Sequence, residues 1–399
     1  MKILNIMPYV PIPPNFGGAL RMYHLLKHMA KYHEVTVLAF GKAEYKHSFQ
    51  KEFNGQLKAV YFVDRPFARK YRRLTQFYSL WTSQSFFRMS ADSNKMQTII
   101  NHLIDKNTYD IIHTEFAHMG LYDFQTDALK ILDTHNIEYE IFQRMSQTVK
   151  SPMRRLHYQH EYKYFMIEEI EAYKKQNAIF TTSQRDKDII TNHVPEIPKF
   201  VVPNGVDTSY FSPTDEPVEP YSMVFTGMMG YLPNSDGILY FLDKIFPLVL
   251  KKISTAKIYI VGQLPPKELL ARASDNIVVT GFVPDVRPYI SRSAVYVVPL
   301  RMGSGTRLKI FEAFAMKKPI VTSSIGCEGI EVKHGESVLI ADDPYTFAEQ
   351  VIQLMNDNKF QRNLIHSGYE LVRSRYDWKE IGLQMEDYYK IMLNNKWNH

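Results

Sequence analysis

The stretch PLRMGSGTRLKIFEAFAMKKPIVTS, from Pro299 to Ser323, decides how this chain folds. The apolar run AVYVVPL leads into it and reads as a buried strand that ends at Leu300. Gly303, Ser304, Gly305 and Thr306 then make a turn, a helix opens close to Arg307, and KPIVTSS returns as a strand. Strand, turn, helix, strand is the parallel βαβ unit. Glycine lets backbone approach a ligand and the amides at a helix start hold anions, so the turn has the form of a phosphate cradle. Arg307 and Lys309 occupy the first helical turn, where cations oppose the helix dipole unless an anion lies in front of them; a diphosphate would be that anion. Glu312 stands one turn beyond Leu308 among Phe311, Ala313, Phe314 and Ala315, where a carboxylate can accept two ribose hydroxyls. The same residues also allow a plain glycine turn, with Arg307 solvated and Glu312 paired to Lys309.

Working outward, the alternation continues through the second half. YSMVFTG, AKIYIVG, NIVVTGF, AVYVVPL, KPIVTSS and SVLIA read as strands, with helices opening near Ser235, Pro266, Val286, Lys309 and Pro344. Upstream, FSPTDEPVEPYS sets Pro213, Pro217 and Pro220 among acidic and small residues without amphipathic period, and reads as the linker. Before it, KILNIMP, EVTVLAF, KAVYFVD, YDIIHTEF, ALKILDTHN and NAIFTTS are strand candidates, with a helix opening near Ala19 and a charged, aromatic helical run from Met153 to Lys175. The fold class is α/β, with two Rossmann-like domains of parallel sheet over residues 1–205 and 206–376. Ligands of such sheets bind beyond the carboxyl ends of the strands, so the expected site is a cleft that the two sheets face. In the last stretch, YDWKEIGLQMEDYYKIML, residues Ile381, Met385, Tyr388 and Tyr389 share one helix face.

Composition agrees. At about 150 residues per domain, 399 residues make two domains of ordinary size. Hydrophobic residues at 45% and charged residues at 23% can build large cores, which excludes disorder and collagen-like repeats. The one cysteine, Cys327, has no partner in the chain, which excludes a disulfide scaffold and thiolate zinc clusters; it fits a reducing compartment, and a cytoplasmic location is expected. The formal charge of +6 admits anionic partners such as phosphates or a membrane surface, and no nucleic acid is expected. Ile3 to Leu20 is uncharged and long enough to span a bilayer, but Pro8, Pro11, Pro13, Pro14, Gly17 and Gly18 forbid a lipid-exposed helix there. The stretch after Lys2 also lacks the cleavage site of a secretory signal.

Pro299 to Ser323 closely resembles the C-terminal signature of the GT-B fold glycosyltransferases of family 4 (glycosyl transferase group 1), whose acidic motif ends in a Glu that binds the nucleotide ribose; Glu312 matches it. The resemblance runs over almost the whole chain, through Gly17 and Gly18 after the first strand, DTHNIEYE, TTSQRD, VVPNGVDTSYFSP, VFTG, IYIVG and TGFVPDV. It implies retaining transfer of a sugar from a nucleotide diphosphate sugar to a hydroxyl of a glycan or lipid-linked acceptor, in bacterial surface polysaccharide biosynthesis and without a cofactor. It also implies donor binding in the second domain, the acceptor on the first, and a last helix, about 377–399, that packs back on the first. The donor contacts it implies are Gly17, Gly18, Gly227, Gly281, Phe282, Gly303, Ser304, Gly305, Thr306 and Glu312. Phe282 is open to two readings, a platform for the base or ordinary core. Asp285 suits a helix cap.

Two departures from the family matter. Ser304 stands where the motif has a first Glu that helps hold the transferred sugar, so that contact falls to main-chain amides of Gly303 to Thr306. Met228 and Met229 stand where an Arg and Lys pair often neutralises the diphosphate, which makes Arg307 and Lys309 the replacements and defines a GSGTRLK-type subgroup.

In the first domain, His113 and Glu115 end YDIIHTE, His118 follows in the loop, and His135 ends ILDTHN with Glu138 close behind. Both strands deliver these side chains to a carboxyl edge, and convergence from two edges points to a site. His135 ranks above His118 and His113 as the cleft histidine that the resemblance implies, with Glu115 and Glu138 as acceptor contacts. No metal site is expected: His24 and His28 lack the Glu and third ligand of a zinc site, and Asp186 and Asp188 follow Ser183, where acids favour a first helical turn without any metal. Over residues 65–88, RPFARKYRRLTQFYSLWTSQSFFR sets Leu74, Phe77, Tyr78 and Trp81 at helical spacing behind Arg65, Arg69, Lys70, Arg72 and Arg73. It reads either as an interfacial helix on anionic lipid or as aromatic core with solvated cations. Two other functions stay open: a Rossmann dehydrogenase, whose glycine spacing the loop PPNFGGALR lacks, and a catalytically silent nucleotide-sugar binder or scaffold, which Ser304 allows.

Overall fold

The computed structural model describes residues 1–14, 16–66, 71–149, 151–303 and 305–397. The chain forms two compact units, Met1–Pro203 with Gly382–His399, and Asn204–Ile381. In the first, β1 (Lys2–Met7), β2 (Glu34–Phe40), β3 (Ala59–Val63), β4 (Ile111–Glu115), β5 (Leu129–Asp133), β6 (Ala178–Thr181) and β7 (Lys199–Val201) make a parallel sheet in the order β3-β2-β1-β4-β5-β6-β7. In the second, β8 (Glu219–Thr226), β9 (Lys257–Val261), β10 (Ile277–Gly281), β11 (Ser293–Val298), β12 (Ile320–Thr322) and β13 (Leu339–Ile340) run β10-β9-β8-β11-β12-β13. The strands are near-continuous apolar runs because helices cover both faces of a parallel sheet; Ile3, Leu4, Ile6 and Met7 of β1 are fully buried. Strand order reverses at β1/β4 and at β8/β11, where Ile3 pairs with Ile111 and Val295 with Met223. At such a reversal the flanking loops diverge to opposite faces and leave a crevice for ligand.

The elements differ from the sequence expectation at three places. The linker read over FSPTDEPVEPYS ends early, because Glu219 already starts β8, where its carboxylate accepts from Lys257 at 3.0 Å and from the Tyr259 hydroxyl. The helix expected near Ser235 spans Leu232–Tyr240, its first turn accommodating Pro233, which needs no amide partner there. The helix expected near Ala19 spans Gly17–Tyr32, so Gly17 and Gly18 form its first turn rather than a loop before it.

The C-terminal helix, Trp378–Trp397, gives the first unit its residues from Gly382 onward. Met385, Tyr389 and Met392 are buried there, and a Cβ on Gly382 would lie 2.2 Å from His28 Nδ1, so the two helices meet at a glycine. His28 Nε2 lies 3.5 Å from Glu386 Oε2, which gives this histidine a structural partner. Among the described residues, no helix is long and apolar enough to cross a membrane.

Candidate active site

In the second unit, the loop after β8 and the loop from Pro299 to Arg307 after β11 flank the β8/β11 reversal. The motif helix spans Leu308–Ala315, and from its first turn Lys309 reaches across to the end of β8. Its ammonium donates to Asn234 Oδ1 at 2.9 Å and lies 4.0 Å from the centre of the Phe225 ring. It also lies 3.1 Å from where a Cβ on Gly227 would stand. Gly227 has φ +146°, and a Cβ on Gly262 would lie 1.7 Å from the Gly227 carbonyl oxygen, so the turn after β8 closes only with glycine at both positions. Asn234 is held in turn by donating from Nδ2 to the Met228 carbonyl at 3.0 Å.

Lys309 therefore bonds Asn234, and the helix pair with Glu312 that the plain sequence reading allowed does not form. Burial pushes the Lys309 ammonium down to about 7, opposed by Glu312 and reinforced by Arg307. Burial pushes the Glu312 carboxyl up to about 7, against the pull of Lys309. Both side chains keep some exposed surface. Two charges are thus held half-buried and each is biased toward its neutral form, an arrangement that a ligand carrying the opposite charge would relieve.

Arg307 corrects the expectation that it is either solvated or turned to a ligand. It is 8% exposed, donates from Nη1 to the Gly305 carbonyl, and sets Nη2 3.7 Å from Glu328 Oε2 and 3.1 Å from where a Gly303 Cβ would stand. The guanidinium is folded onto its own turn, whose glycines take left-handed φ values of +133° at Gly303 and +71° at Gly305. Thr306 is half-buried beside it, and Ser304 lies outside the described residues. Met229 is fully buried, so one of the two positions that carry cations in related chains is core here. Phe282 is 72% exposed, which removes the core reading, and it follows Gly281, whose φ is +70°. Asp285 accepts from the Arg287 amide at 2.9 Å and from its guanidinium at 2.8 Å, as a cap does.

In the first unit the polar residues gather at the β1/β4 reversal, but inward. His113, Glu115, Asp133 and Arg21 have no exposed surface. Arg21 comes from the buried face of the helix Gly17–Tyr32 and grips both Asp133 oxygens, with Nη2–Oδ1 at 2.7 Å and Nε–Oδ2 at 3.0 Å, while Nη1 donates to the Pro203 carbonyl at 3.0 Å. His113 Nε2 lies 3.3 Å from Glu115 Oε1 and 3.8 Å from Asp133 Oδ2. Although burial pushes His113 down, the two carboxylates outweigh it and raise it to about 9. Burial likewise pushes Asp133 up, and Arg21 with the histidines more than reverses it. His113, Glu115 and Asp133 have the atom spacing of a metal site. Arg21, however, already occupies both Asp133 oxygens, and a second cation there would meet its guanidinium.

Enclosed in this way, His113 and Glu115 face no solute directly, which corrects their assignment as acceptor contacts. Glu138 opens the helix Glu138–Thr148 and is also buried; burial and the neighbouring Glu169 push its carboxyl up to about 8. Glu169 serves that helix start, accepting from the Glu138 and Tyr139 amides at 3.3 and 3.1 Å. His118 is half-buried between the rings of Phe87 and Phe116. His135 is 4% exposed, its Nε2 2.8 Å from Glu115 Oε2 and its Nδ1 3.3 Å from where a Cβ on Gly18 would stand. A cavity of about 1130 Å³ lies beyond β1, β2 and β3, lined by Val10, Ile12 and Phe40 with Lys42, Asp64 and Arg65.

Residues 67–70 of the basic stretch, which include Arg69 and Lys70, lie outside the described residues. Downstream, the helix Arg72–Ser79 and the turn after it expose Leu74 by 69%, Phe77 by 61%, Tyr78 by 60% and Trp81 by 79%, so these side chains are not core. Sequence reasoning passed over Asn234, Phe225, Arg21 and Asp133, and read Tyr389 only as part of the packing face of the last helix. A signal existed for one pair: a lone arginine among Ala19, Met22, Leu25 and Leu26 on a helix face, and an aspartate closing a buried strand, require each other.

Comparison with known proteins fits both units. The family described as Glycosyltransferase Family 4 matches residues 17–210, and that described as Glycosyl transferases group 1 matches residues 220–357. An uncharacterized 44.6 kDa protein in the cps region of Klebsiella pneumoniae is 21% identical over 398 residues, covering 95% of this chain and 97% of its own length. The lipopolysaccharide core biosynthesis mannosyltransferase LpcC of Rhizobium leguminosarum bv. viciae is 24% identical over 188 residues, 43% of this chain and 52% of its own. Among solved structures, Anabaena Alr3699/HepE in complex with UDP superposes with a TM-score of 0.66 at 13% identity, over 97% of this chain and 99% of that one. With one family match on each half and the same architecture beneath both, the chain is a GT-B fold glycosyltransferase of group 1.

Proposed function

We propose that the protein transfers a sugar from a nucleotide diphosphate sugar to a hydroxyl of a glycan or lipid-linked acceptor, with retention and without a metal, in bacterial surface polysaccharide assembly. The observation that carries this is the Lys309 ammonium, delivered from the motif helix to the Gly227 turn at 2.9 Å from Asn234, where a diphosphate would restore its charge. Glu312 accepts the ribose hydroxyls, Phe282 offers the base a platform, and Arg307 holds the Gly303–Thr306 turn whose amides face the donor. The bond from the sugar C1 to the diphosphate oxygen breaks, the acceptor oxygen bonds C1 on the face being vacated, and the acceptor proton passes to the diphosphate. His135 stands beside Gly18 on the acceptor side, and the cavity lined by Lys42, Asp64 and Arg65 offers an acceptor polar groups of both signs. The relatives from a cps region and from lipopolysaccharide core biosynthesis support the pathway, and the UDP complex of the structural neighbour supports a nucleoside diphosphate donor.

Peripheral membrane contact through about 65–88 belongs to the same proposal. Between Asp64 and Asp92 the chain carries Arg65, Arg69, Lys70, Arg72, Arg73 and Arg88 and no acid. Its exposed aromatics are continued by Met153 and Leu156, exposed by 75% and 58%, on the helix Pro152–Lys174, whose His160 bonds the Thr82 carbonyl at 3.0 Å. Exposed apolar side chains in a stretch of sequence that carries arginines and no acid suit an anionic bilayer surface. The test of the whole is turnover against a panel of nucleotide sugars, with chelator and with anionic or neutral vesicles. Donor bound but never consumed would leave only a nucleotide-sugar binder, loss of turnover on chelation would sink the metal-free assignment, no flotation on either vesicle type would sink the membrane contact, and equal flotation on both would sink its preference for anionic lipid.

A further inference from the structure

We infer that Tyr389, His113 and Glu115 are positioning residues that hold His135 in a single tautomer, with Nε2–H toward Glu115 and the Nδ1 lone pair presented at the Gly18 turn to a sugar hydroxyl. The inference rests on the sugar-transfer proposal only for the identity of that hydroxyl.

The chain begins on the C-terminal helix. Tyr389, fully buried, sets its hydroxyl 2.6 Å from His113 Nδ1 and 3.5 Å from Met29 Sδ. His113 is raised to about 9 by its two carboxylate neighbours, in spite of burial, and so is an imidazolium at neutral pH. Nδ1 then donates to the Tyr389 oxygen, and Nε2 lies 3.3 Å from Glu115 Oε1 as an ion pair without hydrogen-bond geometry. Burial alone would push Glu115 up, but its contacts with His113 and His135 hold it below the usual carboxylate range. An ionised carboxylate only accepts, so the 2.8 Å contact between Glu115 Oε2 and His135 Nε2 requires the proton on Nε2. In a neutral imidazole this leaves the lone pair on Nδ1.

Two further features hold the ring in place. Phe116 stacks on it, with centroids 3.8 Å apart and planes 29° apart, and does so from a left-handed φ of +68° that a non-glycine residue seldom adopts. Gly18 supplies the close approach: a Cβ there would lie 3.3 Å from Nδ1, 3.1 Å from Phe116 Cζ and 2.7 Å from the Tyr9 hydroxyl. His135 Nδ1 itself is buried and has no hydrogen-bond partner among the described residues. Other buried histidine nitrogens lack a partner too, both nitrogens of His33 among them; His135 Nδ1 differs in ending a chain of four buried groups beside a helix start, where a bound hydroxyl would complete it.

The experiment is ¹⁵N NMR of histidine-labelled protein, with His135 assigned by the signal that His135→Gln removes, together with steady-state kinetics of Glu115→Gln and Tyr389→Phe. The wild type should show one His135 tautomer, protonated on Nε2. Glu115→Gln can offer either oxygen or nitrogen to the ring and should give mixed tautomers, with kcat down roughly 10- to 100-fold and donor KM within about twofold. Tyr389→Phe should shift the same signal less, with kcat down about threefold to tenfold. A pure Nε2–H tautomer in folded Glu115→Gln overturns the inference, as does a wild type protonated on Nδ1. Both readings are available in a protein with no turnover, so wild-type inactivity with every donor would count against the sugar-transfer proposal alone.

Discussion

At the first unit's switch point Arg21, His113, Glu115 and Asp133 set two positive side chains against two negative ones with no exposed surface, whereas at the second unit's switch point Lys309 and Glu312 sit a turn apart, and Lys309 bonds an amide instead of the acid. The same sheet topology therefore treats buried charge in two ways. In the first unit each group is held in its ionised form by a protein partner: Asp133 is driven down and His113 up to about 9. In the second, burial drives both groups toward neutrality, Lys309 down to about 7 and Glu312 up to about 7. A closed network of this kind supports the scaffold, and its removal exposes an uncompensated charge. An open pair is unfinished until a ligand supplies the missing partner, and its removal should be felt in binding and rate.

That comparison breaks first, if it breaks, at Arg21. Arg21→Leu strands Asp133 in a closed interior and should destabilise the first unit by about 3–5 kcal/mol, read as a lower urea midpoint; a near-native midpoint would remove the distinction. Lys309→Ala should cost about 2–4 kcal/mol of transition-state stabilisation while the melting temperature holds or rises, because a charge biased against its own burial is being deleted. Near-native kcat, or rescue of the variant by added Mg²⁺, would return the charge handling to other groups. Glu312→Gln should weaken nucleotide binding by roughly 1–3 kcal/mol by calorimetry and leave free-protein stability nearly unchanged.

The smallest effect sharpens the contrast by pH. His113, at about 9, and Glu138, at about 8, sit above their unfolded values, so between pH 7 and 9 the native first unit holds protons that the unfolded chain has released, and its stability falls. Lys309, at about 7, and Lys318, lowered by burial to about 8, sit below theirs, so over the same window the native second unit holds fewer protons and its stability rises. The two units should drift in opposite directions, measured on β4–β5 and β8–β11 amides by hydrogen exchange under urea, corrected for intrinsic rates. Parallel drifts would mean that other groups dominate.

The two regions also differ in how far the sequence discloses them. The second unit's site was legible because its parts are neighbours in sequence: the glycine turn, Lys309 and Glu312 lie within one βαβ step, and helix period puts them on one side. What it hid was direction. Nothing in RLKIFE says that Lys309 reaches Asn234, 75 residues away, or that Arg307 folds onto its own turn. The first unit's network was half legible, since strand ends named His113, Glu115 and His135 but not that the side chains turn inward. That outcome depends on Arg21 and Tyr389, which lie 112 residues from Asp133 and 276 from His113, and no local period encodes such pairs. The exposed Leu74–Trp81 face escaped for a related reason: amphipathic spacing marks an apolar face without saying what covers it.

The division of the first unit between Met1–Pro203 and Gly382–His399 bears on how the protein is made. Chains leave the ribosome from the N-terminus, at roughly 5–20 residues per second. His113 and Glu115 are therefore synthesised long before Tyr389, and the 178 residues of Asn204–Ile381 emerge in between as a continuous unit with its own core. At those rates the interval is on the order of ten to forty seconds. Throughout it the seven-stranded sheet lacks the helix that covers His113, and at its end the second unit already has every residue it needs. The part of the chain begun first is thus the part that closes last, and a nascent first unit stalled before Gly382 would carry its imidazolium without the tyrosine that seals it.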